Sequence, residues 1–162
     1  MAIKFKGNLD DIFGNIYKKF EEQIMPSIIE ALEAVCIDVV NEARNLPSPP
    51  ATMRGEPHQP NYIDDTENLR SSIGYVIYNN GQRVSQNFEG KSEGMNKGIQ
   101  VAETAAQSWA GTGIVAIIVA GEDYAGYVES KGYDVLSGPA SNIRPLLEDK
   151  LSRLKNIVSK YG

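Results

Sequence analysis

The stretch that decides the fold runs from Gly113 to Leu136 and reads GIVAIIVAGEDYAGYVESKGYDVL. Its first part, Ile114 to Ala120, is apolar and largely β-branched, which is typical of a strand buried on both faces. A helical turn follows, with three residues on one side: Tyr124, Tyr127 and Val128. Gly132 then stands where a helix commonly ends in a left-handed residue. We therefore expect a central strand, a short tyrosine-bearing helix, a capped turn and a short extended piece at Tyr133–Leu136, with the rest of the chain covering this unit.

Before this unit, residues 9–45 have the apolar spacing of a helix. The stripe comprises Ile12, Phe13, Ile16, Tyr17, Phe20 and Ile24, and then Ile28, Ile29, Leu32, Val35, Cys36, Val39, Val40 and Ala43. Pro26 interrupts it, because a proline ring clashes with the carbonyl four residues earlier. We expect two helices nearly in line or one kinked helix. Its stripe cannot be buried alone and needs a sheet or another chain.

A proline-rich segment and a helical turn follow this helix. Residues 46–63 hold five of the eight prolines and show no periodicity. A loop of this length is functional or disordered, and we expect residues 47–63 to be mobile in the free protomer and ordered against neighbours. Residues 64–73 predict a capped helical turn, with Asp64 and Glu67 at capping-box spacing and Thr66 as a second cap.

The middle of the chain predicts a hairpin. Along residues 72–79 the side chains alternate between two sides, as in a strand. Asn79-Asn80-Gly81 is a typical hairpin turn before a second strand at 82–88. Residues 90–98 are polar and glycine-rich, which predicts a loop or mobile tip. Residues 97–109 indicate a short helix, with a twisted strand as the alternative.

The C-terminal residues 143–161 form an amphipathic pattern, in which Pro145 is tolerated only because it falls in the first turn. The chain has 162 residues, the size of one domain. The fold class predicted is α+β: a long N-terminal helix and a C-terminal helix packed on one face of a mainly antiparallel sheet of three to five strands.

The amino-acid composition limits the kinds of function and site that the chain can have. The net charge of −5 argues against a general DNA-coating role, which needs a basic face. Cys36 is the one cysteine and lies on the apolar stripe, so we interpret it as a core residue. The one histidine, His58, lies in the proline-rich segment, and one His with one Cys cannot build the usual zinc sites. No signal-peptide core or membrane-spanning run is visible, so we expect an intracellular, soluble protein.

Two groups of side chains keep a ligand site open as a hypothesis. The carboxylates of Asp64, Asp65, Glu67, Glu122 and Asp123 could hold a metal, although helix capping explains them without one. The aromatic rings of Trp109, Tyr124, Tyr127 and Tyr133 could stack on bases. Because no basic residues alternate with these rings, packing or a protein interface is the favoured interpretation.

Two short motifs resemble a known family. DTENLRSSI at 65–73 and YAGYVESKGYDVL at 124–136, followed by a helix containing RPLL, resemble the tail-completion, or head–tail joining, proteins of long-tailed bacteriophages and prophages. The residues that match the family's pattern are Asp65, Thr66, Leu69, Arg70 and Ser72 in the first motif, and Tyr124, Ala125, Val128, Glu129 and Gly132 in the second. Glu67 departs from the pattern, because the family usually has glycine there.

The resemblance implies a structural virion assembly protein with no catalytic step and no cofactor. Such proteins form a ring, commonly six-fold, between the tail tube and the head connector, and DNA passes through the ring. The partners implied are the chain itself, tail-tube proteins and head-connector proteins, with no sequence-specific nucleic acid and no membrane. The location implied is the virion, and the bacterial host cytoplasm during assembly.

Two alternatives stay open beside this one. The first is a small enzyme, or a ligand- or metal-binding domain, that uses the acidic and tyrosine clusters. The second is a prophage-encoded regulatory or toxin-linked binder.

The two motifs are also expected to meet in space. Residues 65–73 and 124–133 should lie together beside the central strand, joined by a contact between Arg70 and Glu129. That contact would leave Tyr124 or Tyr127 facing a neighbouring subunit.

Overall fold

A computed structural model describes Gly14, residues 16–46, residues 62–109, Gly111 and residues 113–158, with side chains as far as Arg153. His58 and nearly all of the predicted mobile loop, residues 47–63, lie outside the described residues. The elements, in chain order, are a π-helical turn (Phe20–Ile24), α1 (Met25–Arg44), α2 (Asn68–Ser71), β1 (Ile73–Asn79), β2 (Gln82–Phe88), α3 (Ser92–Gln107), β3 (Ile114–Ala120), α4 (Ala125–Ser130), α5 (Ser137–Ser141) and α6 (Ile143–Val158).

The N-terminal helix passes through Pro26 without a break. Residues 16–19 are helical and lead through the π-helical turn into α1. In that turn the Met25 N–H bonds to the Phe20 carbonyl, five residues back. Proline lacks an N–H and needs room beside the carbonyl four residues earlier, and the wider π turn just before it accommodates both. Of the two predicted arrangements, division into two helices does not occur, and one helix continues through Pro26 with a change of helical register.

The sheet has three antiparallel strands in the order β2-β1-β3. The prediction that residues 114–120 form the central strand, buried on both faces, is wrong. β1 is central and its first five residues are buried, whereas Val119 alone is buried in β3. An apolar run does not distinguish a central strand from an edge strand, because position in the sheet depends on pairing with residues far away in sequence.

Helices cover both faces of the sheet. On one face Ile73, Tyr75 and Ile77 pack with Cys36 and Val40 of α1. On the other face Val76 of β1 and Val119 of β3 pack with Ala102 of α3. The alternation predicted for residues 72–79 is confirmed, as is the hairpin turn, where Asn80 and Gly81 have φ of 49° and 80°.

The two terminal helices lie together. The side chain of Lys150 in α6 pairs with Asp38 of α1 at 3.4 Å. The side-chain amide of Asn142, just before α6, donates to Glu42 at 3.2 Å. The end of α1 is held to the sheet by Arg44, whose guanidinium donates to the Ile73 carbonyl at 2.6 Å and 3.0 Å. The α+β class, with a long N-terminal helix and helices packed on a three-stranded antiparallel sheet, is confirmed.

The glycine-rich segment 90–98 was predicted to be a loop, and this prediction is wrong. Helix α3 begins at Ser92 and includes Gly94 and Gly98, both buried. A Cβ on Gly94 would lie 2.3 Å from the Asn68 carbonyl oxygen, and one on Gly98 would lie 2.5 Å from the Ser72 carbonyl oxygen. The backbone of α3 therefore packs directly against the backbone of α2 and the start of β1. Only glycine permits an approach this close, because it has no Cβ.

Candidate functional site

The first motif is held by a carboxylate, but not in the predicted way. Asp64 accepts the backbone N–H of Arg70 at 2.8 Å, and Thr66 accepts that of Asn68 at 3.3 Å. The predicted Asp64–Glu67 capping box does not form, because the carboxylate of Glu67 lies 3.5 Å from Lys91 instead. Both Asp64 and Thr66 accept backbone N–H groups of α2, so both cap candidates are confirmed and only the reciprocal bond from Glu67 is missing.

Glu67 has a left-handed backbone, with φ of 61° and ψ of 6°, directly before α2. Left-handed geometry is uncommon for a residue with a Cβ and is the usual reason for glycine at a turn. The family pattern has glycine at this position. Glu67 therefore has a turn conformation that glycine would favour.

The second motif forms α4 as predicted, and Gly132 ends it with φ of 86°. Ala125 is buried in the core between α1 and the sheet, and Val128 packs against that core. Tyr127 points outward, with 64% of its surface exposed, and the Lys131 ammonium lies 5.2 Å from its ring centre. The predicted extended piece at 133–136 pairs with no strand of the described chain.

Glu129 organises the turn after α4. Its carboxylate accepts the backbone N–H groups of Val135 (3.2 Å), Leu136 (2.6 Å) and Ser137 (2.8 Å), and also the Ser137 hydroxyl. Partial burial of Glu129 opposes ionisation, but the Ser137 hydroxyl and the three backbone donors outweigh it and lower the pKa of Glu129. The negative charge therefore closes the loop between α4 and α5.

Arg70 and Glu129 have different partners from those predicted. The Arg70 guanidinium donates to the Leu46 carbonyl at 2.8 Å and lies 5.6 Å from the ring centre of Tyr62. Tyr62 is buried, and this burial raises the pKa of Tyr62 to about 12. Arg70 therefore joins the end of the N-terminal helix to α2, while Glu129 serves the loop after α4.

The two motifs do meet, as the sequence predicted, but in the core: Leu69 and Ile73 of the first motif share a cluster with Ala125 of the second, and Val128 packs against that cluster. Ser72 of the first motif also binds the backbone directly before the second motif. The Ser72 hydroxyl accepts the backbone N–H groups of Gly121 (3.0 Å) and Glu122 (3.1 Å), and it donates to the Leu69 carbonyl (2.8 Å). Burial raises the pKa of Tyr124, and a side-chain hydrogen bond with Thr66 acts in the opposite direction. We call residues 64–72 together with residues 121–132 the motif corner.

The acidic pair Glu122–Asp123 binds a lysine, not a helix end as the capping interpretation predicted. The Lys97 ammonium lies 2.8 Å from Glu122 and 3.2 Å from Asp123. Glu122 is 5% exposed, so its charge is compensated inside the motif corner. Within the described part of the chain, no three His, Cys, Asp or Glu side chains are grouped so as to hold a metal ion.

Sequence reasoning missed the role of Ser72 in the motif corner and that of Lys97, which pairs with the corner from α3. Ser72 was noted only as a family match, and nothing local indicates that its hydroxyl would reach residues 121 and 122. Lys97 lies where the predicted loop 90–98 overlaps the predicted short helix 97–109, so its position was not fixed by the pattern. Cys36 is a core residue as predicted, and burial, with a smaller contribution from Glu33, raises the pKa of the Cys36 thiol to about 12.

Comparison with protein-family models, with curated proteins and with solved structures finds no match to this chain. No helix in the described ranges combines the length and apolar character needed to cross a bilayer.

Proposed function

We propose that this chain is a structural protein of the head–tail junction of a long-tailed bacteriophage or prophage, acting in tail completion. It assembles with copies of itself into a ring through which DNA passes, and it contacts tail-tube and head-connector proteins. Such a role needs a suitable shape and surfaces for association, and it needs no reacting group. Its place is the virion, and the host cytoplasm during assembly.

The observation that carries the proposal is the backbone at Glu67. The motif resemblance specifies glycine at this position, and the chain has a left-handed residue there despite its Cβ. A chance match of short motifs would not require that conformation at that position. The packing of both motifs into one core cluster, through Leu69, Ala125 and Val128, adds a second point of support.

The use of charge in the motif corner also favours a structural role. The carboxylates of Glu122 and Glu129 are each engaged with groups of the same chain, Lys97 and the 135–137 loop respectively. Tyr127 is more exposed than Tyr124, the other exposed aromatic side chain of this corner. Exposed tyrosine is well suited to an interface, since it offers large apolar area at a low cost in conformational entropy.

Deletion of the gene from the phage or prophage tests the proposal. We expect full heads and complete tails that do not join, seen by electron microscopy, and we expect purified protein added to such an extract to restore joined, infectious particles. Virions purified from the parent should contain the chain, as detected by mass spectrometry. Joined particles in the deletion strain would contradict the proposal.

A second measurement separates this role from the metal-binding alternative. Thermal unfolding of the purified protein with and without millimolar Mg²⁺, Ca²⁺ or Zn²⁺ should give the same midpoint. Stabilisation by one of these ions that is lost in the Glu122→Gln variant would instead favour a metal site in the motif corner.

A further inference from the structure

The outer edge of β3 has the hydrogen-bonding groups of an unfilled strand position. The Asn80 N–H bonds to the Gly113 carbonyl, and the Gly121 N–H bonds to the Ser72 carbonyl. In an antiparallel ladder the direction of these groups alternates along the strand. The backbone groups of four residues therefore point away from β1: Ile114, Ala116, Ile118 and Ala120. The described chain places no strand beyond β3.

This edge lacks the features that protect an exposed strand. At the opposite edge, the β1–β2 ladder has a register shift between Ile77 and Tyr78, and Arg83 of β2 is charged and pairs with Glu103. β3 reads IVAIIVA, with no charge, no proline and an unbroken register against β1. A flat apolar edge of this kind is a template for another strand.

A groove runs beside the second half of this edge. It has a volume of about 410 Å³. Its floor includes Ile118 and Ala120, and its sides include Val101 of α3 and Leu136 and Ala140 around α5. Because side chains of helices rise on both sides of the strand edge, the groove suits one extended segment better than the edge of a second, helix-covered sheet.

We propose that the β3 edge and this groove receive residues 2–6 of a neighbouring copy of the chain, here called the N-terminal arm. The arm reads Ala-Ile-Lys-Phe-Lys, so Ile3 and Phe5 share one side and Lys4 and Lys6 the other. This is the pattern of a half-buried strand. The proline-rich residues 46–63 are a poor alternative, because proline cannot donate to a ladder.

The position of the N-terminal helix favours exchange between copies. Glu33 contacts the sheet through the Tyr75 hydroxyl at 3.2 Å, and the helix extends about 26 Å further to Ile16, at 1.5 Å per residue. Ile16 and Tyr17 are 61% and 67% exposed. Residues 7–15 join the arm to this helix, and the exposed Ile16 and Tyr17 are free to contact the copy that receives the arm.

Arm exchange joins two different surfaces, so each chain can give an arm to the next. Such head-to-tail contacts close into a ring when the rotation between copies closes. The inference thus rests on the ring of the proposed function and specifies how that ring is held. Main-chain hydrogen bonds would supply affinity, and the groove would select the apolar side of the arm.

Hydrogen exchange followed by NMR or mass spectrometry tests the inference on the full chain. In the wild-type oligomer the amides of Ile114, Ala116, Ile118 and Ala120 should exchange at least tenfold more slowly than in the Ile3→Asp/Phe5→Asp variant. That variant should also sediment as a smaller species. The Lys4→Ser/Lys6→Ser variant, which changes the opposite side of the arm, should keep both the protection and the oligomer.

Proline substitution at the two edges supplies a matched pair. Ala116→Pro removes a donor from the outer edge of β3 and should abolish assembly. Gln86→Pro removes an outward donor from the outer edge of β2, because Gln86 faces Val76 in the register, and should leave assembly intact. Both variants should keep the wild-type circular dichroism spectrum, and equal loss of assembly in both would overturn the inference.

Three further results would overturn it. The first is fast exchange of the four β3 amides in the wild-type oligomer. The second is slow exchange of these amides in a monomer, which would mean that the arm folds onto its own sheet. The third is a disulfide between two Ala116→Cys chains, which would mean that β3 pairs with β3. If rings form and join heads to tails without arm exchange, this inference is wrong and the proposed function is still supported. If arms are exchanged but heads and tails do not need the chain to join, the proposed function is wrong and this inference is still supported.

Discussion

At the scale of single residues, Glu67 has a backbone conformation that glycine would adopt more readily. Its left-handed backbone costs about 1 kcal/mol or more for a residue with a Cβ. We expect Glu67→Gly to raise the free energy of unfolding by about 0.5–1 kcal/mol, since relief of strain exceeds the added entropy of the unfolded chain. Urea denaturation at neutral pH measures this change.

Glu67→Ala is the control for that experiment. It removes the exposed ion pair with Lys91 but keeps the strained backbone, so its stability should stay within about 0.5 kcal/mol of the wild type. Equal stabilisation by alanine and glycine would mean that the side chain, not the backbone, is the source of the cost.

Glu129 is the residue at which pH acts on the motif corner. Its pKa is lower in the folded protein than the ordinary value, about 4.3, so its ionised form stabilises the fold above that pH. This contribution disappears as the pH falls through the folded pKa. We expect Glu129→Gln to lower the free energy of unfolding by about 1–2 kcal/mol at pH 7, through weaker acceptance from Leu136 and Ser137.

The pH profile provides the check. The difference between wild type and Glu129→Gln should shrink as the pH is lowered from 6 to 3, because the wild-type carboxyl becomes neutral as well. A difference that is constant over this range would show that the charge of Glu129 contributes nothing.

At the scale of elements, the glycines of α3 set how closely that helix approaches the sheet. A Cβ on Gly98 would lie 2.5 Å from the Ser72 carbonyl oxygen. A Cβ on Gly121, directly after β3, would lie 2.4 Å from the Cα of Gly98. We expect Gly98→Ala to lower the free energy of unfolding by about 2 kcal/mol, because the backbone must move apart, despite the better helix propensity of alanine. Unfolding in denaturant measures this change in the free energy of unfolding.

Gly126→Ala is the matched control, since a Cβ at this helical position meets nothing within 4 Å. Alanine should be neutral there or stabilise the protein by up to about 1 kcal/mol. If both alanine variants were neutral, the close contact between α3 and the sheet would not limit stability.

At the scale of the whole molecule, several large apolar side chains are exposed, and the proposed ring could bury them between copies of the chain. Tyr127 is the clearest case on the motif corner, because it is exposed beside a well-ordered set of hydrogen bonds. We expect Tyr127→Ala to leave the free energy of unfolding within about 0.5 kcal/mol of the wild type and to weaken ring assembly at least tenfold, as interface aromatics often dominate association. Analytical ultracentrifugation over a range of concentrations measures assembly.

Val84→Ala serves as the comparison, because Val84 is also exposed but lies on the polar strand β2. It should assemble as the wild type does. Loss of assembly in both variants, or in neither, would remove Tyr127 from the interface.

What the sequence by itself determined is the set of local structures. The alternation in β1, the Asn80–Gly81 turn, the helical spacing of α1 and α6 and the left-handed Gly132 all follow from neighbours within a few residues. Burial of Cys36 follows from its place on an apolar stripe. Each of these depends on short-range sterics and on periodicity, which a single sequence displays.

The tertiary structure alone decided how distant residues pair. It placed β1, not β3, at the centre of the sheet, and it made a helix of the glycine-rich segment from Ser92, because close packing against Ser72 requires glycine. It also gave Glu129 to the 135–137 loop and Arg70 to Leu46. Each ionised group takes the donors or acceptors that the completed fold brings within hydrogen-bonding distance. Which groups these are depends on contacts between residues far apart in the chain, which a local sequence pattern does not encode.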